Sequence, residues 1–89
     1  MFSTDEILER GRSAARILAD EDLMNVFADL ERDIKAASFN KHSTDSAERE
    51  SVFYQLKSIS DILNSLRRRV VEAEHVLEAL NSQDNTFDD

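Results

Sequence analysis

The sequence feature that most constrains the fold is an unbroken heptad repeat in the second half of the chain. Apolar residues follow one another at alternating steps of four and three for four heptads, a 3.5-residue period typical of helices packed as left-handed supercoils. The positions are Val52, Leu56, Ile59, Leu63, Leu66, Val70, Ala73, Leu77 and Leu80. We predict one long helix over about residues 45–81, with this seam as its interaction surface. Every seam residue except Ala73 is a candidate interaction residue.

Additional apolar residues broaden this seam. Phe53 falls at heptad position e, and Ile62 and Val76 fall at position g. Such a wide apolar stripe exceeds the need of a two-stranded coiled coil. We therefore expect the long helix to contact more than one other helix.

The first half of the chain predicts two shorter helices. Ser3 and Glu6 have the spacing of a capping box, which predicts a helix over about residues 4–19. Its expected apolar stripe is Leu8, Gly11, Ala15 and Leu18, and Gly11 on that stripe indicates a close approach between helices.

Three consecutive carboxylates, Asp20, Glu21 and Asp22, suit the start of a second helix, because acidic side chains favour the positive end of the helix dipole. This helix is predicted over about residues 21–39. Its expected apolar stripe is Leu23, Phe27, Leu30, Ile34 and Ala37, widened by Val26. A polar loop follows, and Asp45 with Glu48 resembles a capping box for the long helix.

We predict one all-α domain over residues 1–81, folded as a helical hairpin or a three-helix bundle. The chain has 89 residues, one glycine and no proline, and a second core would not fit in this length. A monomer of this size buries only ~60–65% of its extended surface, so we expect an oligomer. Residues 82–89 are expected to be an acidic, flexible tail; the alternative is that Phe87 anchors it to a partner.

Charge and composition exclude several function classes. The net charge is −8, which disfavours binding to phosphate backbones. The absence of cysteine excludes thiolate nucleophiles and cysteine-based zinc sites, and a single glycine cannot form a phosphate-binding loop. No apolar run approaches the ~18 residues of a membrane span, and the acidic residues near Met1 lead us to expect no signal peptide there. We expect a soluble protein without membrane contact, cofactor, metal or catalytic residue.

Two small constellations could carry chemistry, but both have a simpler interpretation. Glu72 and His75 have the Glu-x-x-His spacing of di-iron bundles, yet they fall outside the apolar seam and fit a solvated helix face. His42 precedes Ser43, Thr44 and Asp45, which are also the usual residues of a loop and N-cap. The sequence therefore predicts no enzyme.

Charged residues suggest two alternatives to a helical interaction seam. Arg67, Arg68 and Arg69 form the single basic cluster, a possible polar contact that spreads around ~200° of helix. These arginines would serve a small DNA-packaging adaptor. An acidic inhibitor that imitates DNA would instead bind a basic groove of a host protein. Its contact residues would be Asp20, Glu21, Asp22, Asp29 and Asp33.

The chain resembles a group of small helical proteins of tailed bacteriophages whose function is unassigned. The resemblance covers roughly residues 7–75 and rests on the segments 9–14, 18–23, 45–49, 54–59 and 63–66 (ERGRSA, LADEDL, DSAER, YQLKSI and LNSL). It implies a phage context, with the protein in the host cytoplasm or the virion. None of these segments is a catalytic or ligand motif, so the resemblance implies no mechanism.

From the sequence we expect a noncatalytic interaction subunit, such as a phage virion or assembly component. Its partners would be copies of itself, another protein, or both, held by burial of the long-helix seam. The acidic inhibitor and the DNA-packaging adaptor remain the alternatives.

Overall fold

The computed structural model describes residues 1–40 and 46–85, with side chains described for residues 1–37 and 46–83. Three helices account for nearly all of this part: α1 (Thr4–Leu18), α2 (Glu21–Asn40) and α3 (Ser46–Asn85). The described residues contain no strand. The protein is all-helical with one long helix, in agreement with the predicted fold class.

Local capping explains where α1 and α2 begin. The Ser3 Oγ accepts a hydrogen bond of 3.2 Å from the Glu6 backbone N–H, as the N-cap of α1 should. At the start of α2, Asp20 Oδ1 accepts from the Leu23 N–H at 3.1 Å. The predicted cap at Asp45 lies outside the described residues, as do the His42 loop and Phe87.

The third helix is longer than the sequence predicted. It has 40 residues and ends at Asn85, so residues 82–85 are helical rather than part of a flexible tail. At 1.5 Å per residue α3 is ~60 Å long, which accounts for most of the molecule's 68 Å long axis.

The two short helices run back along α3 as a broken second arm. Gly11 of α1 lies against Ala73 in the C-terminal half of α3, whereas α2 ends at Asn40, six residues before α3 begins. The arm therefore runs antiparallel to α3. α1 makes closer backbone contact with α3 than α2 does, and α1 and α2 touch little. Each short helix thus covers a different part of the long one.

The buried core is very small. Among the described residues the buried apolar side chains are Ala14 (1% exposed), Ile59 (7%) and Ala73 (9%), and none of the large side chains is fully buried. Gly11 is also buried. The contact between α1 and α3 is therefore made by small residues and a close backbone approach.

The predicted apolar stripes of both short helices need correction. On α1, Ala14 is buried whereas the predicted Ala15 is exposed, because the inward face is centred on the Gly11 contact with Ala73. On α2, Leu23, Phe27 and Ile34 are half-buried as expected, together with Met24 and Glu31. Leu30, Ala37 and Val26 are exposed instead, which indicates that α2 is rotated away from the predicted orientation.

Candidate interaction surface

The predicted seam is mostly used inside the chain itself. Ile59 is buried, and five other seam residues are half-buried: Val52, Leu56, Leu63, Leu66 and Val70. Since α1 and α2 pack against α3, these side chains already have intramolecular neighbours. A partner that needed the whole seam would have to displace them.

The two last seam residues are different. Leu77 and Leu80 are both exposed, and so is Ile62 at position g. Phe53 and Tyr54 are exposed as well, and their rings meet edge to face with centroids 5.5 Å apart. The surface of α3 therefore carries apolar residues that its own chain leaves uncovered.

A shallow groove marks one exposed part of α3. Its lining residues are Asp61, Ile62, Ser65, Leu66 and Arg69; we call this set the Ser65 face. The three polar residues of this face are four residues apart, and so are Ile62 and Leu66. Residues spaced by four lie on the same side of a helix, so the polar and the apolar residues form two adjacent rows. In the sequence, this face is marked by a small residue, Ser65, with charged residues four positions before and four positions after it. That signal was missed because the heptad seam dominated the pattern.

The two charged residues of the groove, Asp61 and Arg69, differ in their ion-pair contacts. Lys57 Nζ donates a hydrogen bond of 2.8 Å to Asp61 Oδ2, and this contact is a solvent-exposed ion pair. In the described part of the chain, no carboxylate pairs with Arg69. The Ser65 face thus presents a carboxylate and a guanidinium on either side of a small central residue.

The three arginines of the predicted cluster differ in their surroundings. Arg67 and Arg68 are exposed, whereas Arg69 is half-buried. Arg67 donates a hydrogen bond of 3.1 Å to Asn64 Oδ1. Within residues 1–40 and 46–85, none of the three arginines forms an ion pair with a carboxylate. Only Arg69 belongs to the groove, so the structure separates it from its two neighbours.

Three of the five acidic residues predicted to contact a host protein already bind groups of α2. Asp20 caps the helix, and Asp29 and Asp33 both pair with Arg32, at 3.2 and 3.8 Å. Glu21 and Asp22 are exposed in the first turn. These contacts reduce the continuous negative field that an imitation of DNA would require.

The candidate chemical residues form no metal site among the described residues. Glu72 and His75 are both exposed, and no cluster of three or more histidine or acidic side chains could hold an ion there. In the same part of the chain, no helix is both long and apolar enough to cross a membrane.

Comparisons with known proteins give no further assignment. No protein-family model matches the chain, and no curated protein or solved structure does either. The resemblance to small phage proteins therefore stays a prediction from the segments named above.

Proposed function

We propose that this protein is a noncatalytic interaction subunit that acts by self-association through its long helix. In a phage context it would serve as a virion or assembly component. The observation that carries this proposal is the mismatch between the large exposed surface of the chain and its very small core.

The accessible surface quantifies the mismatch. The chain exposes 7147 Å², whereas a compact monomer of 10.2 kDa exposes ~5,300 Å². The excess is ~1,800 Å², and a standard dimer interface covers only ~800 Å² on each partner. A second copy could therefore bury the surface that the chain itself leaves open.

Elongation of the molecule supports the same proposal. The radius of gyration is 19.4 Å, whereas a compact chain of this length has a value of ~12 Å. Short helices that cover only parts of α3 explain the difference. Because hydrophobic burial is the main favourable term in folding, we infer that association adds stability that the isolated fold lacks.

The two alternatives receive less support from the contacts. The acidic inhibitor would use carboxylates of which one is a helix cap and two share Arg32. The DNA-packaging adaptor would use arginines that lie on different sides of α3, in a chain of net charge −8. No described contact favours either function over self-association.

The test is a concentration series by sedimentation equilibrium and light scattering, from ~1 µM to ~1 mM, at ~0.05 and ~0.5 M salt. We expect the mass to rise from 10.2 kDa to a closed oligomer that persists at high salt, because apolar burial is not screened. Urea unfolding followed in parallel should show a midpoint that increases with protein concentration. A 10.2 kDa species with a constant unfolding midpoint throughout the series would rule out self-association.

Leu63→Glu is unsuitable as an interface variant, although the seam pattern suggests it. Leu63 is half-buried within the chain's own packing, so a charge there would destabilise the monomer whatever the interface. Variants of the exposed Ser65 face avoid this ambiguity.

A further inference from the structure

The Ser65 face lies at the level where the second arm of the molecule is broken. Gly11 packs against Ala73, and the two arms run antiparallel. Ala19 lies eight residues after Gly11, and Ser65 lies eight residues before Ala73, so both are ~12 Å further along the pair. α1 ends at Leu18 and α2 begins at Glu21. The break between the short helices is therefore level with Ser65.

Exposed apolar residues of the second arm lie on the same side of the molecule as this groove. On α3, Ile62 lies ~70° from the centre of the seam, at 100° per residue. On α2, Leu30 lies ~70° and Val26 ~110° from the centre of the half-buried face. The rotation about the helix axis has the same sense as for Ile62 on α3. When two antiparallel helices face each other, rotation in the same sense about each helix axis leads to the same side of the pair. Ile62, Val26 and Leu30 are all exposed, so this flank is apolar and unpartnered.

We propose that the Ser65 face docks on the same face of a second copy of this chain, with the two α3 helices antiparallel and a two-fold axis beside Ser65. This inference rests on the proposed self-association and specifies its interface. The small Ser65 side chain at the centre permits close approach of two helix backbones. An isologous contact of this kind closes at the dimer, because each copy uses the same residues.

Charge complementarity indicates that the Ser65 face binds a second copy of this chain. Asp61 and Arg69 lie four residues on either side of Ser65. A two-fold axis there places Asp61 of each copy opposite the partner subunit's Arg69, twice in the dimer. Lys57 Nζ contacts Oδ2 of Asp61 and leaves Oδ1 to accept. Arg69 has no carboxylate partner among the described residues, so the dimer supplies the one that its own chain does not.

A charge-exchange experiment tests the register directly. D61R alone places like charges opposite each other in the homodimer, and so does R69D. We expect each variant to self-associate at least about tenfold more weakly than the wild type at ~0.05 M salt, where screening is small. An equimolar mixture of the two variants, and separately the double variant D61R/R69D, should restore affinity close to that of the wild type. Sedimentation velocity on the full chain compares these four samples with the wild type.

A second pair of variants separates loss of the interface from loss of the fold. Ile62 (48% exposed) and Val71 (45% exposed) are similar in exposure and lie on the same helix, but nine residues are two and a half turns, so they point in opposite directions. I62E should reduce association at least about tenfold because it introduces a charge into the apolar flank. V71E should leave association unchanged, and circular dichroism should show native helicity for both.

The outcomes distinguish this interface from self-association in general. If the wild type associates but the mixture of D61R and R69D is no tighter than either variant alone, the Ser65 register is wrong while self-association stands. Equal effects of I62E and V71E would overturn the assigned flank in the same way. A wild type that remains monomeric at all concentrations overturns both proposals.

Discussion

At the scale of single residues, Gly11 and Ala73 form a tight contact between α1 and α3. A Cβ built on Gly11 would clash with Ala73 Cβ and would lie 3.1 Å from the Arg69 backbone oxygen. Glycine costs helix stability of ~1 kcal/mol relative to alanine, and here it permits two backbones to approach. The position of α1 along α3 therefore depends on the absence of one methyl group.

Gly11→Ala should destabilise the protein, although alanine favours the helix. Overpacking of a tight contact costs ~1–3 kcal/mol, and the Arg69 carbonyl cannot move without disturbing α3. We expect a net loss of ~1–2 kcal/mol in the free energy of unfolding, measured by urea denaturation at one fixed protein concentration.

Two controls isolate the steric effect of this substitution. Ala15→Gly changes an exposed site on the same helix and reports the helix propensity difference alone. In the double variant G11A/A73G the clashing methyl group is absent, so a double-mutant cycle should show favourable coupling. A Gly11→Ala protein that is more stable than the wild type by ~1 kcal/mol would mean that the site is not tightly packed.

At the scale of the elements, the short turn between α1 and α2 sets the shape of the second arm. The Ala19 N–H donates to the Ala15 oxygen and the Asp20 N–H donates to the Ile17 oxygen, at 3.0 and 3.1 Å, which closes α1. Asp20 then caps α2 with its side chain. Local hydrogen bonds thus end α1 and start α2, so the second arm consists of two helices with a break level with Ser65.

Asp20→Ala should destabilise the fold by ~1 kcal/mol, because loss of an N-cap acceptor leaves the Leu23 N–H without its partner. Asp20→Asn retains the acceptor and should cost only a few tenths of a kcal/mol from the helix dipole. Chemical denaturation with matched protein concentrations measures both. Equal losses for the two variants would show that the charge of Asp20, not its hydrogen bond, stabilises the junction.

At the scale of the whole molecule, the placement of the Ser65 face determines the shape of the assembly. α3 extends over Ser46–Asn85, so Ser65 lies close to its midpoint. An antiparallel dimer about this residue overlaps the two long helices along their full length. Association would then thicken the rod without lengthening it.

Small-angle X-ray scattering can check this shape. The longest dimension of the dimer should remain close to the 68 Å of the single chain, while the cross-section increases. The D61R variant, kept monomeric at low concentration, supplies the matched reference for the single chain. A longest dimension that nearly doubles on association would indicate contact through the ends of α3, where Leu77 and Leu80 are exposed.

The sequence by itself determined the number of helices, their approximate ends and the close approach at Gly11. These features depend on short-range physics: an N-cap such as Ser3 bonds to a residue three positions away, and an apolar period is a property of one segment. The tertiary structure decided which residues are covered. Ala14 rather than Ala15 is buried and Leu30 is exposed, because the rotation of each helix is set by its contacts with α3. The exposure of the Ser65 face was likewise decided by the tertiary structure, since the packing of α1 and α2 sets which sides of α3 remain uncovered.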